Sequence, residues 1–173
     1  IATILGIPQS RVRHLGTYVG GGFGAKGMLT VEPYLALLTW ITKRPSTMVL
    51  GREEGIRHTV KKHPFEMHYK TAASKDGKIL GVQAKIIADA GAYPYKSDLI
   101  LLGTVCIAAG PYNIPNLEVR CSGFLTNNPI TNAMRGVGSN QVCFAYENQM
   151  NLVANALKMD PSELRKKNFI QKG

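Results

Sequence analysis

Cysteine and acidic residues are both scarce here: the 173 residues include three Cys, and 11 Asp plus Glu against 21 Lys plus Arg. Cys106, Cys121 and Cys143 are odd in number and widely spaced, with no CxxC pair. That argues against a zinc site and implies no disulfide framework. They read instead as small buried hydrophobes in a reducing, cytoplasmic compartment. The four histidines, His14, His58, His63 and His68, make no ligand pair; His63 and His68 lie five apart on an expected strand and would point to opposite faces. No apolar run reaches the ~18 residues a membrane helix needs; "LILLGTVCIAAG" at 99–110 stops short. No membrane partner is therefore expected. An initiator Met is lacking as well: the chain opens on "IATILGIP", which resembles the tail of a helix. It is read as a single domain, 1–173, belonging to a longer polypeptide.

The shortage of acid leaves a formal charge of +10. Such an excess suits nucleic acid, an acidic cofactor or acidic neighbours in a larger assembly. "KRP", "KKHP" and "RKKN" lie far apart, however, and no aromatic-studded basic stripe joins them. Nucleic-acid binding would rest on charge alone, so no nucleic-acid partner is expected. Apolar residues at 45% and charged residues at 18% are the composition of a globular chain with a core.

Hydrophobic periodicity orders the elements. Residues 10–19, "SRVRHLGTYV", alternate loosely and predict a strand leading into "GGGFGAKG". "TVEPYLALLTWITK" (30–43) predicts a helix with Thr30 as its cap and Pro33 in its first turn. A strand at "STMVLG" (46–51) and a helical turn at 52–57 follow. From 63 to about 93 the pattern is β, broken by "KDGK", in which Asp76-Gly77 is a hairpin signal. A helix over 97–110 capped by Ser97, a strand over 117–127, and helices over 141–158 and 160–170 complete the chain. The last carries Asp160 as N-cap, Pro161 at the first helical position and Glu163 at the third.

Two loops share one layout, strand, Gly-rich turn, helix. Such a turn aims backbone N–H groups and a helix N-terminus at an anion or a polar cofactor. The familiar versions fit poorly. A P-loop needs Lys followed by Ser or Thr, and Lys26 precedes Gly27. "GFGAKG" satisfies G-x-G-x-x-G, but no acidic residue ends a second strand about 20 residues on; Met48–Gly51 stands there. The second loop, "NPITNAMRGVGSN" (128–140), holds Arg135 beside glycine. Its guanidinium suits an oxyanion or a carbonyl-rich ligand, and equally suits pinning its own loop through carbonyls.

"GGGFGAKG", "GREE", "KKHPFEMHYK", "DGKILG", "DAGAY", "YNIPN", "TNNP", "AMRGVGSNQ" and "DPSELRKKN" occur in one order across nearly all of the chain. Together they resemble the xanthine dehydrogenase / aldehyde oxidase family of molybdenum hydroxylases, in the first part of the molybdopterin-binding region of the large subunit. "TNNP…RGVGSNQVCFA" leans towards bacterial, purine-hydroxylating members. The resemblance implies an α+β fold, a mixed sheet with packed helices, as a fragment of the molybdenum-cofactor-binding domain. It implies a molybdenum–molybdopterin cofactor, possible also in dinucleotide form, with 2Fe–2S clusters and FAD on other domains or subunits. The partners implied are the rest of the large subunit, those iron–sulfur and flavin units, and a small heterocyclic substrate.

In that family a Glu base activates a metal-bound hydroxide for attack on an electron-poor carbon. That Glu lies in a segment the chain lacks, so no catalytic residue is expected here, and Glu32, Glu53, Glu54, Glu66 and Glu147 have no claim to the role. The piece alone should be inactive. By the resemblance Gly22, Phe23, Gly24 and Arg135 are cofactor-binding, with Phe23 walling the pocket rather than folding back into the core. Molybdenum is held by the pterin, so no protein metal ligand is implied. Gln141 stands where the family has Gln before its helix. Three positions depart from purine-hydroxylating relatives: Gly27 replaces a Glu, Val137 replaces a stacking Phe, and Gly103 falls where a second Arg stands. Gly27 and Val137 are thus expected in the substrate wall, and carbon monoxide, nicotinate or an aldehyde become alternative substrates. Glu32 is a candidate substitute for the missing acid, although a first-turn Glu also favours the helix dipole by itself. A cofactor-free assembly module is the remaining alternative.

Overall fold

The computed structural model describes residues 1–171. Three strands, β1 (Phe65–Ala73), β2 (Ile79–Gly91) and β3 (Leu117–Leu125), form a sheet in the order β1-β2-β3. β1 and β2 are antiparallel, with Phe65 opposite Ala88 and Val82 opposite Thr71; β2 and β3 are parallel, with Ile86 opposite Cys121. The sheet is mixed, as expected. Its hairpin turns where the sequence placed it: Gly77 adopts φ 87°, and Ser74 N–H donates to Lys78 O at 2.9 Å.

Alternation decides which face is covered. Ala84, Ile86, Ala88 and Ala90 of β2 are buried, while Glu66, His68 and Lys70 of β1 are exposed. The parallel pairing needs a crossover, and α4 (Ser97–Ile107) supplies it, packing on β3. The long α5 (Ser139–Leu157) lies on β1 and meets α4, and α6 (Pro161–Asn168) closes against α5.

Two apolar clusters result. One joins Ile86, Ala108 and Val142; the other joins Ile79, Tyr112, Met150, Ala154 and Leu164. Full burial of an Ile or Leu stabilises by roughly 1.5–3 kcal/mol. Asn168, also buried, ties the second cluster to the hairpin: its amide donates to Gly77 O and accepts from Ile79 N–H, both at 2.8 Å. Asp160 caps α6 as read, accepting from Ser162 N–H at 2.8 Å and Glu163 N–H at 3.1 Å.

Six expectations need correction. Residues 10–19 form no strand, only a 3₁₀ turn at Gln9–Arg11, and 46–51 form none either; neither has a neighbouring strand to pair with among the described residues. α2 spans Glu32–Thr42 and is not capped by Thr30; the Glu32 carboxylate instead accepts from Thr30 N–H at 2.7 Å. That contact, followed by Glu32's own backbone N–H, holds the Glu32 carboxyl below its usual range. Ser97 does not cap α4 but turns inward to His63, Oγ to Nε2 at 2.8 Å. Cys106 and Cys143 are exposed rather than buried, because each faces outward from α4 or α5; Cys121 is half-buried, and burial pushes its thiol pKa up. His63 precedes β1 rather than lying on it, so the opposite-face argument does not apply to it.

Candidate functional site: a junction of two glycine-rich loops

β2 and β3 run parallel, so both end at one edge of the sheet. The loop after β3 is fixed there by Asp89, which accepts from Thr126 Oγ1 at 2.6 Å, Asn128 Nδ2 at 2.5 Å and Gly91 N–H at 2.7 Å. These donors, Thr126 foremost, hold its carboxyl below the usual range. Gly91 has φ 69°, and a Cβ there would lie 2.2 Å from Pro129 O, so only glycine permits this closeness. An isolated parallel bridge, Lys61 to Thr131, carries the loop onward, with Asn132 N–H donating to Lys61 O at 2.9 Å.

The loop then meets residues 20–27. Arg135 N–H donates to Phe23 O at 2.9 Å, and its guanidinium carbon stands 5.7 Å from the Phe23 ring centre. Gly24, at φ 96°, lies so close to Ala133 that a Cβ would sit 1.9 Å from its carbonyl oxygen. Phe23 itself is left-handed, φ 51°, a costly conformation for a non-glycine residue, and the residue is 59% exposed. Phe23 is therefore not folded back as a core anchor. Lys26 binds Val19 O and Gly21 O, the latter at 2.8 Å, and Lys62 donates to Arg135 O at 2.7 Å. Both lysines use their ammonium groups on loop carbonyls. Neither had a distinguishing signal in the sequence.

The junction leaves donors free. The N–H groups of Gly21, Gly22, Phe23 and Gly24 donate to no acceptor among the described residues, and the Arg135 guanidinium has no carboxylate partner there. Gly22 would meet nothing within 4 Å if it carried a Cβ, so the space above it is open. Gln141 Nε2 donates to His63 O at 3.0 Å while its Oε1 is buried without a partner, as is Asn132 Oδ1. Bare N–H groups beside a guanidinium form a donor set for an anionic, oxygen-rich ligand.

Val137 shares the second loop with Arg135; it is left-handed at φ 43°, and its side chain is exposed. Gly138 abuts Thr104 of α4, 2.2 Å from where a Cβ would be, which seats the start of α5 against α4. Gly27 lies at the far end of the first loop, where its carbonyl accepts from Tyr95 Oη at 3.3 Å. Gly103 points no Cβ at anything within 4 Å.

Each glutamate set aside above is engaged locally: Glu32 with Thr30, Glu53 with Arg57 at 2.6 Å, Glu54 with Gly51 N–H at 2.7 Å, Glu66 with His68 at 2.7 Å, and Glu147 with Arg165 at 2.7 Å. His63, Ser97 and nearby Asp89 have the residue types of a nucleophile, a base and an orienting acid. Ser97 and His63 are both almost wholly buried, however, and burial holds the His63 pKa down. No substrate can reach them, and the pair serves to fasten α4 to the segment before β1. Among the described residues no group of three or more His, Cys, Asp or Glu could hold a metal, and no helix is long and apolar enough to cross a membrane.

Residues 1–169 match the molybdopterin cofactor-binding domain family. The nicotinate dehydrogenase large molybdopterin subunit of Eubacterium barkeri is 42% identical over 173 residues, covering 100% of this chain and 41% of that protein. The xanthine dehydrogenase molybdenum-binding subunit of Escherichia coli O157:H7 is 34% identical, over 100% of this chain and 23% of its own length. The solved aldehyde oxidoreductase of Desulfovibrio gigas superposes with a TM-score of 0.83 at 36% identity, covering 89% of this chain and 17% of that one. The chain thus spans less than half the length of each of these relatives.

Proposed function

The chain belongs to the molybdopterin cofactor-binding domain family, and we propose that it supplies part of the cofactor cradle and one substrate wall of a molybdenum hydroxylase. The observation that carries this reading is the loop junction, where unpaired N–H groups at Gly21–Gly24 lie beside a guanidinium without a carboxylate partner. Gly22, Phe23, Gly24 and Arg135 would hold the molybdenum–pterin group, and Gly27 and Val137 would border the substrate. When bound, that group accepts the electron pair removed as an oxygen from water is added to an electron-poor carbon.

The chain's own residues do the positioning. Glycines let backbone donors approach an oxygen-rich group without side-chain obstruction. Phe23 presents an exposed ring that would exclude water from one side, Lys62 fixes the backbone carbonyl of Arg135, and the guanidinium stands over the Phe23 ring. Relatives named for nicotinate, xanthine and aldehyde oxidation all match over 89% or more of this chain, and in this reading substrate choice falls to the residues at the rim. A xanthine-like substrate is favoured by the similarity of the "TNNP" and "RGVGSNQ" stretches, and nicotinate by the 42% identity to the nicotinate dehydrogenase subunit.

The test uses the full-length protein. Molybdenum and released pterin should each approach one per chain, and Arg135→Ala should lower turnover about a hundredfold or more with unchanged circular dichroism. A well-folded, matured protein holding neither component would instead be a scaffold for assembly.

A further inference from the structure

Resting on the reading just given, we propose that Lys96 is a specificity-determining residue, and that the substrate is an electron-poor ring bearing a carboxylate. The connection from β2 to α4 passes over the first loop. Tyr95 occupies a left-handed conformation, φ 38°, and its hydroxyl donates to Gly27 O at 3.3 Å. A non-glycine residue held in that region marks a segment fixed by its surroundings. Lys96 follows directly as the N-cap of the 11-residue α4, with its ammonium 5.6 Å from the Tyr95 ring centre. It is exposed; its carbonyl accepts from Ile100 N–H at 3.2 Å, while its ammonium makes no hydrogen bond or ion pair among the described residues. Lys96 is thus an uncommitted cation tethered to the end of the loop that Gly27 closes.

The neighbouring charges point the same way. Lys26 and Lys62 are bound to carbonyls, whereas Arg135 and Lys96 are not. Of the acids, Glu32 is held by Thr30 N–H and Asp89 by three donors. Asp98, in the first turn of α4, is exposed and lies beyond ion-pair distance of Lys96. The α4 N-terminus adds partial positive charge beside Lys96. Gly27 offers a carbonyl already taken by Tyr95 and no acidic side chain. A ring rich in N–H donors finds no carboxylate here, whereas an anionic substituent finds a free ammonium. Such charge complementarity selects among ligands of one shape.

The experiment measures equilibrium binding of pyridine-3-carboxylate and its neutral amide to the dithionite-reduced, full-length holoenzyme. Wild type should bind the acid at least about tenfold more tightly than the amide, the size of one charge-assisted contact. Lys96→Met, which keeps most of the stem, should weaken acid binding about tenfold and leave the amide within about twofold. Lys96→Arg should restore the acid, and molybdenum and pterin content should stay constant in all three. Equal affinity for acid and amide in the wild type overturns the proposal while leaving the cradle reading intact, as does an equal loss of both ligands in Lys96→Met. Loss of pterin in Lys96→Met also overturns it, by assigning the ammonium to a cofactor phosphate. A wild-type protein without molybdenum and pterin overturns the cradle reading itself, and this proposal with it.

Discussion

The first sixty residues and the remainder of the chain are built differently. Every core residue lies at Val60 or beyond, and α1 (Ala2–Leu5), α2 and α3 (Arg52–His58) bury no side chain. Residues 60–171 hold the sheet, both apolar clusters, a capped terminal helix and the Tyr112–Glu147–Arg165 network. The N-terminal region carries exposed Leu37, Leu38, Trp40 and Ile41 on α2 and the loop whose donors are free. One part is stabilised by its own contacts, and the other presents groups that its own contacts leave unsatisfied. An unsatisfied N–H costs stability when buried away from water. Concentrating such groups in one loop is what a ligand-facing surface requires.

The sharpest way to test that division is at the seam. Gly24→Val should separate the two loops, because its side chain would occupy the place of Ala133 O; Gly22→Ala, whose methyl meets nothing, should not. Hydrogen exchange at the Arg135 amide reads the difference, with at least about tenfold faster exchange expected for Gly24→Val. Equal protection in both variants would show that the seam does not depend on Gly24. Next in size are the two sides themselves. Leu164→Ala, at a fully buried position, should cost about 2–5 kcal/mol in the unfolding of the full-length protein, and Leu37→Ala, 47% exposed, distinctly less. An equal cost would mean that chain outside these residues covers α2, and the comparison would then describe a boundary rather than a difference in stability.

The smallest effect is one of pH. Asp76 accepts from Lys167 at 2.8 Å and from Ser74, and these contacts, Lys167 foremost, pull its carboxyl down to about 2. The folded carboxyl holds its proton less tightly than the unfolded one. Its contribution is therefore complete above about pH 4 and is lost as pH falls toward 2. The carboxylate is exposed and screened, so the gain is slight. Acid titration of Asp76→Asn should show a shallower loss of stability between pH 4 and 2 than wild type, with no difference at pH 7 beyond the constant offset.

Local chemistry made parts of this molecule legible in advance. Asp160-Pro161 announces a helix start and Asp76-Gly77 a hairpin, because each acts through the backbone of its own few residues. The loose alternation in 10–19 misled, as did the short apolar run in 46–51, because such patterns show only that a segment could line a sheet; pairing needs a neighbour, and none lies beside either among the described residues. The glycines of both loops pointed to a ligand-facing surface. That the loops touch was not legible: the bond from Arg135 N–H to Phe23 O joins backbones far apart in sequence and needs no particular side chain. Tyr95 and Lys62 escaped for a similar reason, since each reaches a carbonyl that every residue possesses.

The Lys61–Thr131 bridge has an entropic consequence. The β1–β2–β3 sheet, which sets Phe65 opposite Ala88 and Ala88 opposite Gly123, already reduces the Phe23–Arg135 contact to a ring from Phe23 to Phe65 and from Gly123 to Arg135. The bridge trims that ring to the stretches from Phe23 to Lys61 and from Thr131 to Arg135, shorter by about a fifth, which the logarithmic law of loop closure values at a few tenths of a kcal/mol. The sheet thus meets most of the loop-closure cost before the two loops touch, and the single backbone hydrogen bond between them, netting about 1 kcal/mol, has only the residual ring to close.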